Sequence, residues 1–352
     1  MGHDWPGKSR QFPGALLVKF GIMRYTVNMR IIRGRWIFIG MVVLLSWADT
    51  NGTTWHVRKD GTGDFTEISF ALGPGVLAGD TILVGPGTYG IRDDSYYLRK
   101  AVHIISESGP QLTIIHNEGY VLNFQPASTG FDVRDFSGTF SIRGFTFLQH
   151  LDGEMGFLGD GIWVENASGV IADNIFYANE GYGVMLKENS SVIVENNLFY
   201  LNEGCGLAIS GDVAPSQAVV WNNTFVGDGI EASYSDCQAA IEKNILYLTA
   251  LIWSAPVSNV TIECNDVWNP EGSRYSGIED QTGVNGNISA DPLFCGVAGS
   301  GNYYLQWNSP CAEPNVPAAC SGHYMGCFPV LCTVGTKDQS WGSMKSLFDG
   351  KK

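Results

Sequence analysis

The sequence predicts an all-β chain wound as a single-stranded parallel β-helix, a solenoid with an N-terminal capping helix and a Cys-rich C-terminal segment. Three observations predict it. Gly-x-Gly followed by an aliphatic residue recurs at 159–162, 181–184, 204–207 and 227–230, at intervals of 22, 23 and 23 residues. A second motif (VIADNIF, VIVENNLF, VVWNNTF, AIEKNIL, TIECNDV) carries an Asn at 174, 197, 223, 244 and 265. The composition is rich in turn formers and poor in charge, with 44 Gly and 16% charged residues, unlike helical repeats. Repeats of this length build a solenoid, whereas a propeller blade needs about 40 residues or more.

The N-terminus reads as a targeting segment. Met29 is followed by Arg30, Arg33 and Arg35, then by the uncharged run Trp36 to Ala48. A basic start, a short apolar stretch and small residues at Ser46 and Ala48 describe a signal peptide at 29–48. Thirteen uncharged residues fall short of the ~20 that a spanning helix needs. Residues 1–28 read as an extension upstream of the true start.

The solenoid is expected over 49–292. In DFTEISFAL, Thr66 is the expected cap of a short helix whose Ile68, Ala71 and Leu72 share an apolar face. DTILVGPGTY and AVHIISES then read as the first strands. After each Gly-x-Gly the residues alternate, and Ile162, Val164, Val184, Leu186, Leu207, Ile209, Ile230 and Ala232 face inward. Stacked at ~4.8 Å per coil, the repeated Asn should form one row at one corner, where it accepts left-handed geometry and bonds along the row. The glycines should allow the sharp corners. A closing segment follows over 293–335, then a tail over 336–352 whose Trp341, Met344, Leu347 and Phe348 have helical spacing.

Without residues 1–48 the chain carries 14 basic and 34 acidic residues, a net charge of −20. That excludes nucleic acid and anionic membranes as partners and suits a secreted or cell-surface protein, bacterial in its export signal. A monomer that does not span the membrane once the signal is cleaved is expected. Eight cysteines, all between Cys205 and Cys332, suggest disulfides. Proximity points to Cys295 with Cys311 and Cys320 with Cys332, among 105 connectivities.

The stretch WHVRKDGTGDFTEISFAL with GDTILVGPGTY resembles the opening of right-handed parallel β-helix proteins of the pectin-lyase-like superfamily. ADPLFC and NYYLQWNSPC resemble the closing segment of its exported bacterial members of unassigned activity. The resemblance covers about residues 54–332 and implies a right-handed coil. It implies no single activity, because the superfamily includes lyases, hydrolases, esterases, epimerases and non-enzymes. The catalytic signatures of pectin methylesterases, polygalacturonases and pectate lyases (Arg-x-Pro-x-x-Arg) are absent.

Stacking turns the alignment into rows. Asp160, Tyr182, Cys205 and Asp228 should share one outward row; Trp163, Met185, Ala208 and Glu231 the next; Glu165, Lys187, Ser210 and Ser233 a third. Trp163 and Tyr182, with Glu165 and Lys187, form a candidate sugar platform. The alternative is that Glu165 and Lys187 are an ordinary cross-coil ion pair worth under ~1 kcal/mol, with Trp163 packed under the 148–159 loop. On the second strand the outward row is Ala172, Glu195, Trp221, Glu242 and Glu263. Glu242 and Glu263 should face each other ~5 Å apart. Ca²⁺ could bridge them, one could hold a proton as half of a hydrolase pair, or both could splay into water near Lys243. No organic cofactor is expected. The insertion at 148–160 brings His150 and Asp160 towards Arg143, groups that a uronate lyase could use to neutralise a carboxylate and take a proton. Between 130 and 270 the chain has only four Lys/Arg: Arg134, Arg143, Lys187 and Lys243. The expected function is binding of an extracellular polysaccharide, the alternative a lyase or glycoside hydrolase on an acidic polysaccharide. Asn166 and Asn189 head Asn-x-Ser sequons that matter only in a eukaryotic secretory route.

Overall fold

The computed structural model describes residues 31–32, 35–36, 52–91, 95–117, 129–148, 159–211, 213–233, 237–296 and 301–332. The chain divides into two compact units, Met1–Thr50 and Asn51–Lys352. In the first, Ile31–Ile32 pairs antiparallel with Arg35–Trp36. The rest of the expected signal segment, the 149–158 part of the insertion and the 336–352 tail lie outside the described residues.

The second unit is the parallel solenoid. Its first sheet has nine strands, from Thr54–Val57 to Val260–Glu263. Its second sheet has eight, from Gly87–Ile91 to Asp266–Trp268, and its third has eight, from Ser95–Leu98 to Tyr275–Ser276. Each coil therefore holds three strands where the sequence shows two. The stretch 192–199 is one apparent strand, but the chain bends inside it: Ser191–Glu195 lies in the first sheet and Leu198–Tyr200 in the second.

The bend comes from the residue before each repeated Asn. Asp173, Asn196, Asn222, Lys243 and Cys264 have φ between 55° and 58°. The left-handed residue is thus not the row Asn, as expected from the sequence. Asn174, Asn197, Asn223, Asn244 and Asn265 keep their side chains turned into the corner, and the preceding residue makes the turn. The expected row exists and gains a sixth member, Asn287. Each of the first five amides donates its Nδ2 to the next Oδ1 at 3.0–3.2 Å and to a backbone carbonyl, Asn287 Nδ2 donates to the carbonyls of Ile262 and Val284, and each Oδ1 also takes a backbone N–H. All six are 0–1% exposed. Left-handed non-Gly residues cost ~1 kcal/mol or more each, and the satisfied buried amides offset it.

A second buried row runs at the next corner. Asn179 donates to Asn202 at 2.7 Å, and Asn202 donates to Asp228 at 2.5 Å. Asp228 therefore does not share the outward row of Tyr182 and Cys205. Its turn is three residues shorter than the one at Asn202, which puts the carboxylate in the Asn position. Asp160, also expected to face out, is fully buried and accepts from the Tyr182 N–H at 2.7 Å.

The second glycine of each Gly-x-Gly serves clearance, not a left-handed turn. A Cβ on Gly183 would lie 2.6 Å from the Gly206 carbonyl and 2.7 Å from the Phe199 ring, and one on Gly161 meets Gly183 and Phe176 at 2.5 Å. Those rings belong to the inner stack Phe147, Phe176, Phe199 and Phe225, with centroids 4.5–5.0 Å apart and nearly parallel planes. Gly183→Ala should lower stability by about 2–3 kcal/mol in urea unfolding, because neither the carbonyl nor the wedged ring can retreat. A loss below ~0.5 kcal/mol would contradict that.

At the N-terminal end, Ile68–Ala71 forms one helical turn with Ile68 and Ala71 buried. Its N-cap is Glu67, with no side-chain cap bond, so Thr66 does not fill that role. The tie is instead Asp80, which accepts from Thr53 N, Leu77 N and Trp55 Nε1, each at 2.8 Å.

The closing segment lies along the second sheet. Ile175, Leu198, Val226 and Ile245 face outward from that sheet into a cluster with Phe294, Tyr303, Leu305 and Met325. The disulfides are Cys264–Cys320 and Cys295–Cys332, not the pairs that proximity suggests. Because the segment folds back over the solenoid, Cys320 reaches the last corner, and Cys311 goes beneath to bond Asp266 at 3.1 Å. Gly286 makes room for the first bridge: a Cβ there would lie 2.4 Å from Cys320 Sγ. Among the described residues no helix is long and apolar enough to cross a membrane.

Candidate functional site

With the second sheet covered, the outer faces of the third and first sheets carry the candidate residues. On the third sheet, parallel pairing aligns Tyr97, Asp132, Trp163, Met185, Ala208 and Glu231 in one row. Arg134, Glu165 and Lys187 form the adjacent row. Alternation within each strand sends both rows outward, while Val133, Val164 and Leu186 point to the core.

These side chains interlock. Asp132, 6% exposed, accepts from Arg99 Nη1 at 3.1 Å and Arg134 Nε at 2.6 Å. Arg134 Nη1 reaches Glu165 Oε2 at 3.3 Å, and the Trp163 indole N–H donates to the same oxygen at 3.1 Å. Cations flank the indole from both neighbouring coils, with Arg134 5.2 Å and Lys187 5.4 Å from its ring centroid. Arg99 lies 5.1 Å from the Tyr97 ring. Three cations thus meet two carboxylates on the face of a strongly acidic chain. The expected Glu165–Lys187 ion pair is not formed. Glu165 bonds Arg134 and Trp163 instead, and Lys187 turns to the Trp163 ring. Among the described residues Lys187 makes no ion pair, so its ammonium is available to a ligand.

Further along the face the floor is buried Met185 and Ala208, with Tyr182 and Cys205 beside them, and the row continues through half-buried Glu231 to Ile252 and Ser276. Burial first, and then the charges of Glu231, Asp228 and Asp160, raise the Cys205 thiol well above its ordinary value. It stays protonated at neutral pH and is not a nucleophile. Burial, then Cys205, Glu231 and Asp160, also raise the Tyr182 phenol.

The first sheet presents the other predicted set. Arg143, Ala172, Glu195, Trp221, Glu242 and Glu263 align in one row. Arg143 reaches past Ala172 to Glu195 at 3.1 Å and to Asp173 at 3.3 Å. Arg143 ends a strand of the first sheet while Asp160 lies at the corner before Ile162–Glu165 of the third, each with separate partners, and His150 lies outside the described residues. Glu242 and Glu263 are register partners, as expected. Burial first, then the Glu263 charge, raise the Glu242 carboxyl, against a smaller pull from Lys243. Among the described residues no group of three His, Cys, Asp or Glu is placed to hold a metal. Two carboxylates alone leave most of the six to eight oxygen sites of Ca²⁺ to water. The sequence reading missed three participants. Asp132 and Arg99 lie in or before irregular early coils, and His323 reaches the Trp221 ring edge-on, at 5.8 Å, from the closing segment.

Residues 101–267 match the family described as right handed beta helix region. No curated protein matches the chain. A solved structure of a pectate lyase, Pel9A, is similar at 14% identity and a TM-score of 0.32, covering 79% of this chain and 96% of that one. Three parallel sheets wound coil upon coil, with that match inside them, give the chain the fold of a right-handed parallel β-helix.

Proposed function

We propose that the outer face of the third sheet binds an extracellular acidic polysaccharide. The observation that carries this reading is Trp163 held between Arg134 and Lys187. The two cations lie over the indole ring from either side, so the edge of Trp163 meets the sugar while the cations meet its uronate carboxylates. Asp132 and Glu165 hold the guanidinium in place, so little side-chain freedom is lost on binding. Tyr182 and the Met185–Ala208 floor extend the platform along the axis, and no organic cofactor is needed. Two disulfides and the Met29–Ala48 segment support export, which puts the chain where such polymers occur.

The test is retention of the oxidised chain on immobilised polyuronates and neutral glucans at several salt concentrations. Binding to polyuronate alone, weakening with salt, is expected. Trp163→Ala or Lys187→Gln should each weaken it by about tenfold or more. Equal retention on neutral glucans would overturn the reading. Cleavage of a polysaccharide is the alternative, and the raised carboxyl of Glu242 beside Glu263, on the first sheet, supports it. New reducing ends would favour a hydrolase. Ultraviolet absorbance of unsaturated uronates with those ends would favour a lyase.

A further inference from the structure

The outer face of the first sheet carries a groove of about 270 Å³ that the proposed acidic-glycan site does not use. Its floor repeats from coil to coil. Ser191, Gln217 and Gln238 stack in register, one per coil, and Ile193, Val219 and Ala240 form the row beside them. Gln217 and Gln238 are exposed, and among the described residues their amides bond no other group. The next outward row, in the same register, is Glu195, Trp221, Glu242 and Glu263. His323 fixes Trp221 edge-on. Glu195 is occupied by Arg143, whereas Glu242 and Glu263 form no ion pair among the described residues.

Three features define what would fit. A floor that repeats the same side-chain types every ~4.8 Å along the axis suits a ligand that itself repeats, namely a polymer chain. Amides, a hydroxyl and a half-buried indole suit sugar hydroxyls and a sugar ring. The flanking charge is negative and unrelieved, so a cationic ligand would remove the repulsion between Glu242 and Glu263, and a uronate would add to it.

We propose that this groove binds an extended glycan bearing free amino groups. Its sugar ring lies against Trp221, its hydroxyls meet Gln217 and Gln238, and its ammonium groups sit beside Glu242 and Glu263. The two open faces of the solenoid then select glycans of opposite charge.

The probes are a glucosamine hexamer and its fully N-acetylated counterpart, titrated calorimetrically into the oxidised chain. They share ring and linkage and differ in the amine. The glucosamine hexamer should bind at least about tenfold more tightly. The double variant Glu242→Gln, Glu263→Gln should lose that preference while its thermal midpoint does not fall, since the substitutions keep the side-chain shape and remove the repulsion between the pair. Trp221→Ala should weaken both hexamers together. No binding of the glucosamine hexamer, equal affinity for the two hexamers, or a preference intact in the double variant would each overturn the proposal. None of these outcomes depends on the third sheet, whose reading fails or stands on polyuronate retention.

Discussion

Asn223→Ala should lower the unfolding free energy by about 4 kcal/mol or more, near the upper limit for a single substitution. The Asn223 Oδ1 accepts from the backbone N–H of Asn197 at 2.9 Å and from its Nδ2 at 3.0 Å. The Asn223 Nδ2 donates to the carbonyls of Val194 and Trp221 and to Asn244 Oδ1. Alanine would leave donors and acceptors of three coils without partners, at a site that is 0% exposed. Each unsatisfied buried group costs about 1–3 kcal/mol, and a methyl cannot admit water to all of them. A solenoid adds a second effect. Each coil is stabilised mainly by its neighbours, so a break in the middle of the row weakens the interface on both sides. Urea unfolding followed by circular dichroism is the check. A loss of under ~1 kcal/mol would mean that the amide row is incidental to stability.

The same row shows what the sequence made legible. The recurring Asn could be read because one backbone geometry repeats and its chemical demand repeats with it. Only an amide both gives and takes a bond along a stack. The demand for the second glycine repeats too, but its reason was not readable: clearance from the Phe ring and the next carbonyl depends on how coils stack. The corner residues Asp173, Lys243 and Cys264 share no chemistry, so the third strand of each coil left no sequence signal. The site was legible by half. Trp163, Glu165 and Lys187 follow from register within regular coils. Asp132 and Arg99 belong to earlier coils outside the repeat, and His323 reaches Trp221 from a segment about 100 residues later. Their convergence is a tertiary fact. The cysteine pairing failed for the same reason, since sequence distance does not reveal that the closing segment turns back along the second sheet.

Asp228 marks the place where a row breaks its own rule, and it sets the second large effect. It occupies an Asn position, accepts from the Asn202 N–H and Nδ2, and is 3% exposed. Burial pushes its carboxyl up to about 7, against the hydrogen bonds from Asn202 that pull it down. The sign follows from linkage. The folded chain keeps a proton that the unfolded chain releases near the ordinary aspartate value of ~3.9. Stability from this group is therefore fully present below about pH 4 and is lost as pH rises through about 7. The total is on the order of 4 kcal/mol, from about three units at 1.36 kcal/mol each. Asp228→Asn keeps the acceptor for Asn202 and removes the charge. Its new Nδ2 should donate to the Phe199 carbonyl, continuing the steps from Asn179 to Phe147 and from Asn202 to Phe176. The variant should therefore gain several kcal/mol over the parent at pH 8 and almost nothing at pH 4. A shallower slope should persist from Asp266, which burial also raises to about 7. Urea unfolding of both chains at the two pH values decides it. An equal difference at both would show that the carboxylate is not paying a burial penalty, and that the corner admits water that the packing of the row does not suggest.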